Sequence, residues 1–153
     1  MQSLYEVKSS EDGLTYYFTT KFNLTYIVAL TTNGALGVNA YSLNIYPEDD
    51  TIKPPIDFWI KNTVIDIIGR ILIKEENSLV YVCDGIDGKE DKRHTAFARW
   101  YDNGKRIYPD VRKYDYCFHS EDGYKINASL MYNQNNPLAQ YLIEQFNELM
   151  GLY

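Results

Sequence analysis

Asp57-Phe58-Trp59-Ile60-Lys61-Asn62-Thr63-Val64-Ile65-Asp66-Ile67-Ile68-Gly69-Arg70-Ile71-Leu72-Ile73-Lys74, followed by Leu79-Val80-Tyr81-Val82-Cys83, decides the fold. In the first segment Ile60, Val64, Ile67, Ile68, Ile71 and Leu72 recur at helical spacing and form one apolar face. The spacing predicts a helix from about Asp57 to Lys74, with Lys74 and Asn77 suited to its C-terminal end. The second segment is short and almost continuously apolar, the pattern of a strand buried on both faces. A long helix running straight into a buried strand predicts a crossover, and so at least one parallel strand pair.

Upstream, the chain reads as an antiparallel meander. Tyr5–Lys8 is a short strand, Asp12-Gly13 a hairpin turn, and Thr15–Thr19 and Leu24–Leu30 the next two strands. In Ala40–Tyr46, Tyr41, Leu43 and Ile45 share one face, and Ser42 and Asn44 the other. The segment Pro47 to Pro55 is rich in breakers and predicts a loop.

Downstream, a second helix spans about Lys89 to Tyr101, with Phe97, Trp100 and Tyr101 inward and Asp102-Asn103-Gly104 closing it. Arg106 to Lys113 is a loop, and Tyr114–His119 and Lys125–Tyr132 form a hairpin. Asn136 caps a final helix with Pro137 in its first turn, and Leu138, Tyr141, Leu142, Phe146, Leu149 and Met150 form its apolar stripe. The expected order is β-β-β-β-α-β-α-β-β-α. This is a single α+β domain over residues 1–153, with helices packed on a mixed, mainly antiparallel sheet.

Bulk properties narrow the function. A chain of 153 residues that is 45% hydrophobic supports one packed core. A net charge of -6 argues against nucleic acid as the main ligand, because phosphate backbones demand a basic surface. The opening residues lack a signal-peptide pattern, and no apolar run approaches the ~20 residues of a membrane helix. The expectation is a cytoplasmic protein that binds neither nucleic acid nor membrane. Cys83 and Cys117 are expected to be reduced core thiols, bridged only if their strands pair.

The most site-like stretch is Cys83-Asp84-Gly85-Ile86-Asp87-Gly88, between the buried strand and the second helix. Ligands of α/β sheets gather where a central strand ends and a helix begins. Asp84 and Asp87, with Arg93, His94 and Arg99 on the helix, are the candidate ligand-binding residues. Two carboxylates and a histidine suit a divalent cation or acid–base work. Turn formation at Asp87-Gly88 and acidic residues favouring a helix start explain the same residues without a ligand. The aromatic residues Phe58, Trp59, Phe97, Trp100 and Tyr101 are expected in the core. Strand tyrosines such as Tyr16 and Tyr26 are candidates for a protein interface.

This order of elements resembles the GNAT acetyltransferase fold, over roughly Thr15 to Tyr132. Arg93-His94-Thr95-Ala96-Phe97-Ala98-Arg99-Trp100-Tyr101 is similar to that family's penultimate helix. The resemblance implies an acetyl-CoA site on a glycine-rich loop before the long helix. Here that loop is Glu48-Asp49-Asp50-Thr51-Ile52-Lys53-Pro54-Pro55, with no glycine, three carboxylates and two prolines that lack N–H donors. The family's general-acid tyrosine falls near Phe97, and its two early helices have no counterpart. Val82 to Gly88, with Arg93-His94 and Phe97-x-x-Trp100, also resembles a family of short uncharacterised bacterial proteins of the Bacteroidota type, which carries no known function.

No complete catalytic set and no cofactor motif emerges. The expectation is a non-catalytic binding module whose target is a protein partner or, through an exposed sheet edge, a second copy of itself. The alternatives are a divergent acyl-CoA N-acyltransferase and a small metal-dependent hydrolase using Asp84, Asp87 and His94.

Overall fold

The computed structural model describes residues 3–52, 57–83 and 90–151, and within these leaves the side chains of residues 83 and 90–93 undescribed. Ten elements follow one another as β1 (Lys8–Ser9), β2 (Thr15–Thr19), β3 (Thr25–Thr32), β4 (Ala40–Pro47), α1 (Phe58–Leu72), β5 (Ser78–Cys83), α2 (Glu90–Gly104), β6 (Val111–His119), β7 (Lys125–Asn133) and α3 (Ala139–Gly151). The strands form one seven-stranded sheet in the order β1-β2-β3-β4-β5-β7-β6. All pairs are antiparallel except β4 with β5, which α1 connects as a crossover. The architecture is therefore α+β, with a mixed, mainly antiparallel sheet and three helices, as the hydrophobic periods predict.

Each face of the sheet carries its own core. On one face α1 buries Val64, Ile67, Ile68, Ile71 and Leu72 against Phe18, Val28, Leu43 and Leu79, and Phe97 of α2 completes the layer. On the other face Leu142, Phe146 and Met150 of α3 pack on Val80, Ala128 and Leu130. The carbonyls at the C-terminal end of α1 are satisfied by side chains: Asn77 donates to Ile71 at 2.9 Å and Asn133 to Leu72 at 3.1 Å. At α3, Asn136 caps as predicted, accepting from the Leu138 N–H at 2.9 Å.

Several expectations are corrected. The first strand is only Lys8–Ser9, because its pairing with β2 covers only two residues. β6 begins at Val111, three residues before the predicted start, because Val111, Arg112 and Lys113 pair with Asn133, Tyr132 and Met131. α2 continues through Asp102-Asn103-Gly104. Gly104 lies against α1, where an added Cβ would stand 2.9 Å from Ile65 Cγ2.

Phe58 is 69% exposed and Trp59 41%, not core. They start α1 on the side away from its apolar stripe. Leu138 and Tyr141 are also exposed, leaving Leu142, Phe146 and Met150 as the buried stripe of α3. Tyr26 is buried and Tyr16 half-buried, so the exposed strand tyrosines are Tyr17 and Tyr46 instead. Cys117 is an exposed free thiol rather than a core one. β7 separates β5 from β6, and Cys83 and Cys117 both align with Asn127. Two strand spacings, about 9.5 Å, exceed the reach of a disulfide.

Candidate functional site

β4 and β5 pair only through Ala40, Tyr41 and Ser42 with Ser78, Leu79 and Val80. Both strands continue past that ladder, β4 by five residues to Pro47 and β5 by three to Cys83. A parallel pair that stops pairing while its strands run on opens a wedge at its carboxyl end, the place where α/β sheets take ligands. The carbonyl of Ala40 accepts from Asn33 and that of Asn39 from Ser78. By alternation, Tyr41, Leu43 and Ile45 turn their backbone groups toward β5; the Ser42–Val80 pair uses the Leu43 N–H, so the Leu43 carbonyl and the Ile45 backbone lie beyond the end of the ladder.

α1 begins at the same end of the sheet, beside Tyr5, which stacks on Phe18 of β2. Asp57 is its N-cap, with an extended backbone and a side chain accepting from the Trp59 N–H at 2.9 Å. The same carboxylate accepts from the Tyr5 hydroxyl. Burial and the Asp57 carboxylate raise the Tyr5 pKa, with a smaller opposing effect of the Lys21 amide. A helix N-terminus attracts an anion through free N–H groups and the macrodipole. Here a carboxylate of the chain itself occupies that position. Nearby in sequence, Asp49 accepts from the Thr51 hydroxyl and amide, which hold its carboxyl below the usual range. The Asp49 carboxylate thus adds negative charge to the segment before α1, which disfavours a pyrophosphate there.

α2 lies over the β5–β7–β6 end of the sheet. Phe97 is 3% exposed and stacks on Tyr81, ring centroids 4.3 Å apart. Phe97 thus offers no hydroxyl and faces an aromatic ring. Between α1 and α2, an apolar cavity of about 40 Å³ is lined by Ile65, Ile68, Gly69, Trp100, Tyr108 and Met131, among others. It is too small for a nucleotide or CoA-sized ligand.

Under α2, polar side chains break the expected alternation. Lys113, Asp115 and Cys117 share one face of β6, and Asn127 and Ser129 the matching face of β7. The Lys113 ammonium lies 2.7 Å from Asp115 Oδ2 and 5.4 Å from the centroid of Tyr101. The Ser129 hydroxyl donates to Asp115 Oδ1 at 2.6 Å. Burial pushes the Asp115 carboxyl up, but the Lys113 and Ser129 bonds, with the charges of Lys113 and His94, bring it below the ordinary value. Asn127 is buried, and its Nδ2 has no hydrogen-bond partner among the described residues. Sequence reasoning missed this cluster. The available signal was the Lys-x-Asp-x-Cys and Asn-x-Ser alternation, which sets polar groups on a face the helix covers.

The sequence-predicted residues separate as follows. Asp84 and Asp87 lie outside the described residues. Arg93 belongs to α2, its side chain outside the description. His94 is half-buried and acts on Asp115. Arg99 is exposed, five positions along the helix and so about 140° around it from His94. His94 and Arg99 therefore do not converge. Among the described residues, no group of three His, Cys, Asp or Glu side chains could hold a metal, and no helix is long and apolar enough to cross a membrane.

Neither a curated protein nor a solved structure matches the chain. A family model matches residues 57–148, from the N-cap of α1 into α3 and well over half of the length. The chain belongs to that family, a family of unknown function (DUF6169).

Proposed function

We propose that the protein is a non-catalytic binding module of the bacterial cytoplasm, on a GNAT-like scaffold, whose wedge between β4 and β5 receives an extended segment of a partner protein. The observation that carries this reading is the three-residue β4–β5 ladder, which ends before the Leu43 carbonyl and the Ile45 backbone although both strands run on. An extended peptide satisfies such groups by adding as a strand, with main-chain bonds for affinity and side-chain contacts for specificity. Exposed Phe58 and Trp59, in the first turn of α1, offer apolar surface at the same end of the sheet. The net charge of -6 supports the exclusion of nucleic acid, and no membrane is required.

A second reading has a specific observation in its favour. It is the parallel β4–β5 pair itself, whose carboxyl end is a ligand position of α/β sheets and keeps the divergent N-acyltransferase as the competitor. The Asp57 cap at the start of α1 and the absence of a hydroxyl at Phe97 weigh against it.

Amide hydrogen exchange distinguishes the two. The protein is incubated with a pool of extended heptapeptides, with acetyl-CoA, or with Mg²⁺ and Mn²⁺. Slowed exchange over β4 with selected peptides is expected, and no change with acetyl-CoA or either metal. Protection by acetyl-CoA establishes the acyltransferase reading instead, and metal-dependent protection at α2 the hydrolase.

A further inference from the structure

Among the described residues β6 is the last strand of the sheet, nine residues long, with β7 as its neighbour. A long edge strand is a ready template for another strand. Its sequence is self-complementary about one residue. Antiparallel addition across a two-fold axis brings residues of the same face opposite each other, so the axis must pass through a residue. Centred on Tyr114, it sets Lys113 opposite Asp115 of the second copy, twice, and Arg112 opposite Tyr116. Centred on Asp115 it opposes two carboxylates, and on Lys113 two ammonium groups, both destabilising.

We propose that two copies of this chain join along β6, with the two-fold axis at Tyr114, into one continuous sheet. Lys113 already holds Asp115 of its own strand at 2.7 Å, and the Asp115 side chain is 45% exposed, with acceptor capacity left over. In the pair, each ammonium lies between two carboxylates and each carboxylate between two ammoniums, a neutral ring of four charges. Tyr114 and Tyr116 are braced from behind by Phe146 of α3, with ring centroids 6.2 and 6.5 Å away, so the edge is rigid before it pairs. The dimer goes beyond the wedge reading, and binding in the β4–β5 wedge does not depend on it.

Sedimentation velocity of the full chain tests it, with circular dichroism to confirm that each variant folds. The expected mass is twice the 17.8 kDa of one chain. Asp115→Lys should return the protein to a monomer, and Lys113→Asp combined with Asp115→Lys should restore the dimer. On a Cys117→Ser background, Tyr114→Cys should cross-link to itself under mild oxidation. His119→Cys should not, because its two thiols stand about 34 Å apart in this register. A monomeric wild type, a dimer indifferent to Asp115→Lys, or cross-linking at position 119 and not 114 overturns the proposal. Peptide protection of β4 in the monomeric variant would leave the wedge reading intact, which separates the two failures.

Discussion

Asp115 shows how a half-exposed carboxylate is held on the edge strand of the sheet. Its carboxylate is fixed by Lys113 and Ser129 and sits in the field of His94. Its folded pKa lies below the unfolded one, so the stability it contributes is present above the ordinary carboxylate range and is lost as pH falls through the folded value. Urea midpoints measured from neutral pH down to about pH 3 should therefore fall less steeply in Asp115→Asn than in the wild type. The difference should stay under about 1 kcal/mol, because the side chain is nearly half exposed and screened by water. A steeper acid limb in the variant would contradict this account. Asp57 was legible in the sequence as a helix start. Its partner Tyr5 was not, because the contact spans 52 positions. The Asp115 cluster was hidden for the same reason: Ser129 and His94 reach it only through the pairing of β6 with β7 and the placement of α2.

Elements with a strong period were readable in advance. α1, α3 and the β3–β4 and β6–β7 hairpins stand where the spacing places them, because a continuous apolar face leaves one way to bury it. The ends were less readable. Val111 to Lys113 carries two cations and looks like loop, yet pairing with β7 draws it into the sheet. The crossing of α1 and α2 also depends on contacts the pattern does not encode. At Gly69, an added Cβ would stand 2.1 Å from the Tyr108 ring, whose hydroxyl donates to Asp66 at 3.0 Å, one turn before Arg70. Gly69→Ala should therefore displace Tyr108 and destabilise the fold by about 1–3 kcal/mol, even though alanine is the better helix former. Chemical denaturation measures it, and a variant as stable as the wild type would show that Tyr108 is not wedged there.

At the scale of the whole molecule, one sheet carries two different ends. β6 presents a paired-ready edge, while the β4–β5 pair parts and opens a wedge beside α1. A parallel pair followed from the α1–β5 pattern, but the order of strands in the sheet and the three-residue ladder did not, since nothing in Leu43–Pro47 marks where pairing stops. The residues first singled out, Asp84 and Asp87, border the same end of the sheet in sequence and lie outside the described residues. What distinguishes this scaffold chemically is the start of α1, where Asp57 occupies the anion position and the preceding segment is acidic. The central claim is that the wedge binds without acyl-CoA chemistry. Calorimetric titration of the full chain with acetyl-CoA tests it most directly. The account predicts no saturable heat, and a saturable 1:1 isotherm would contradict it.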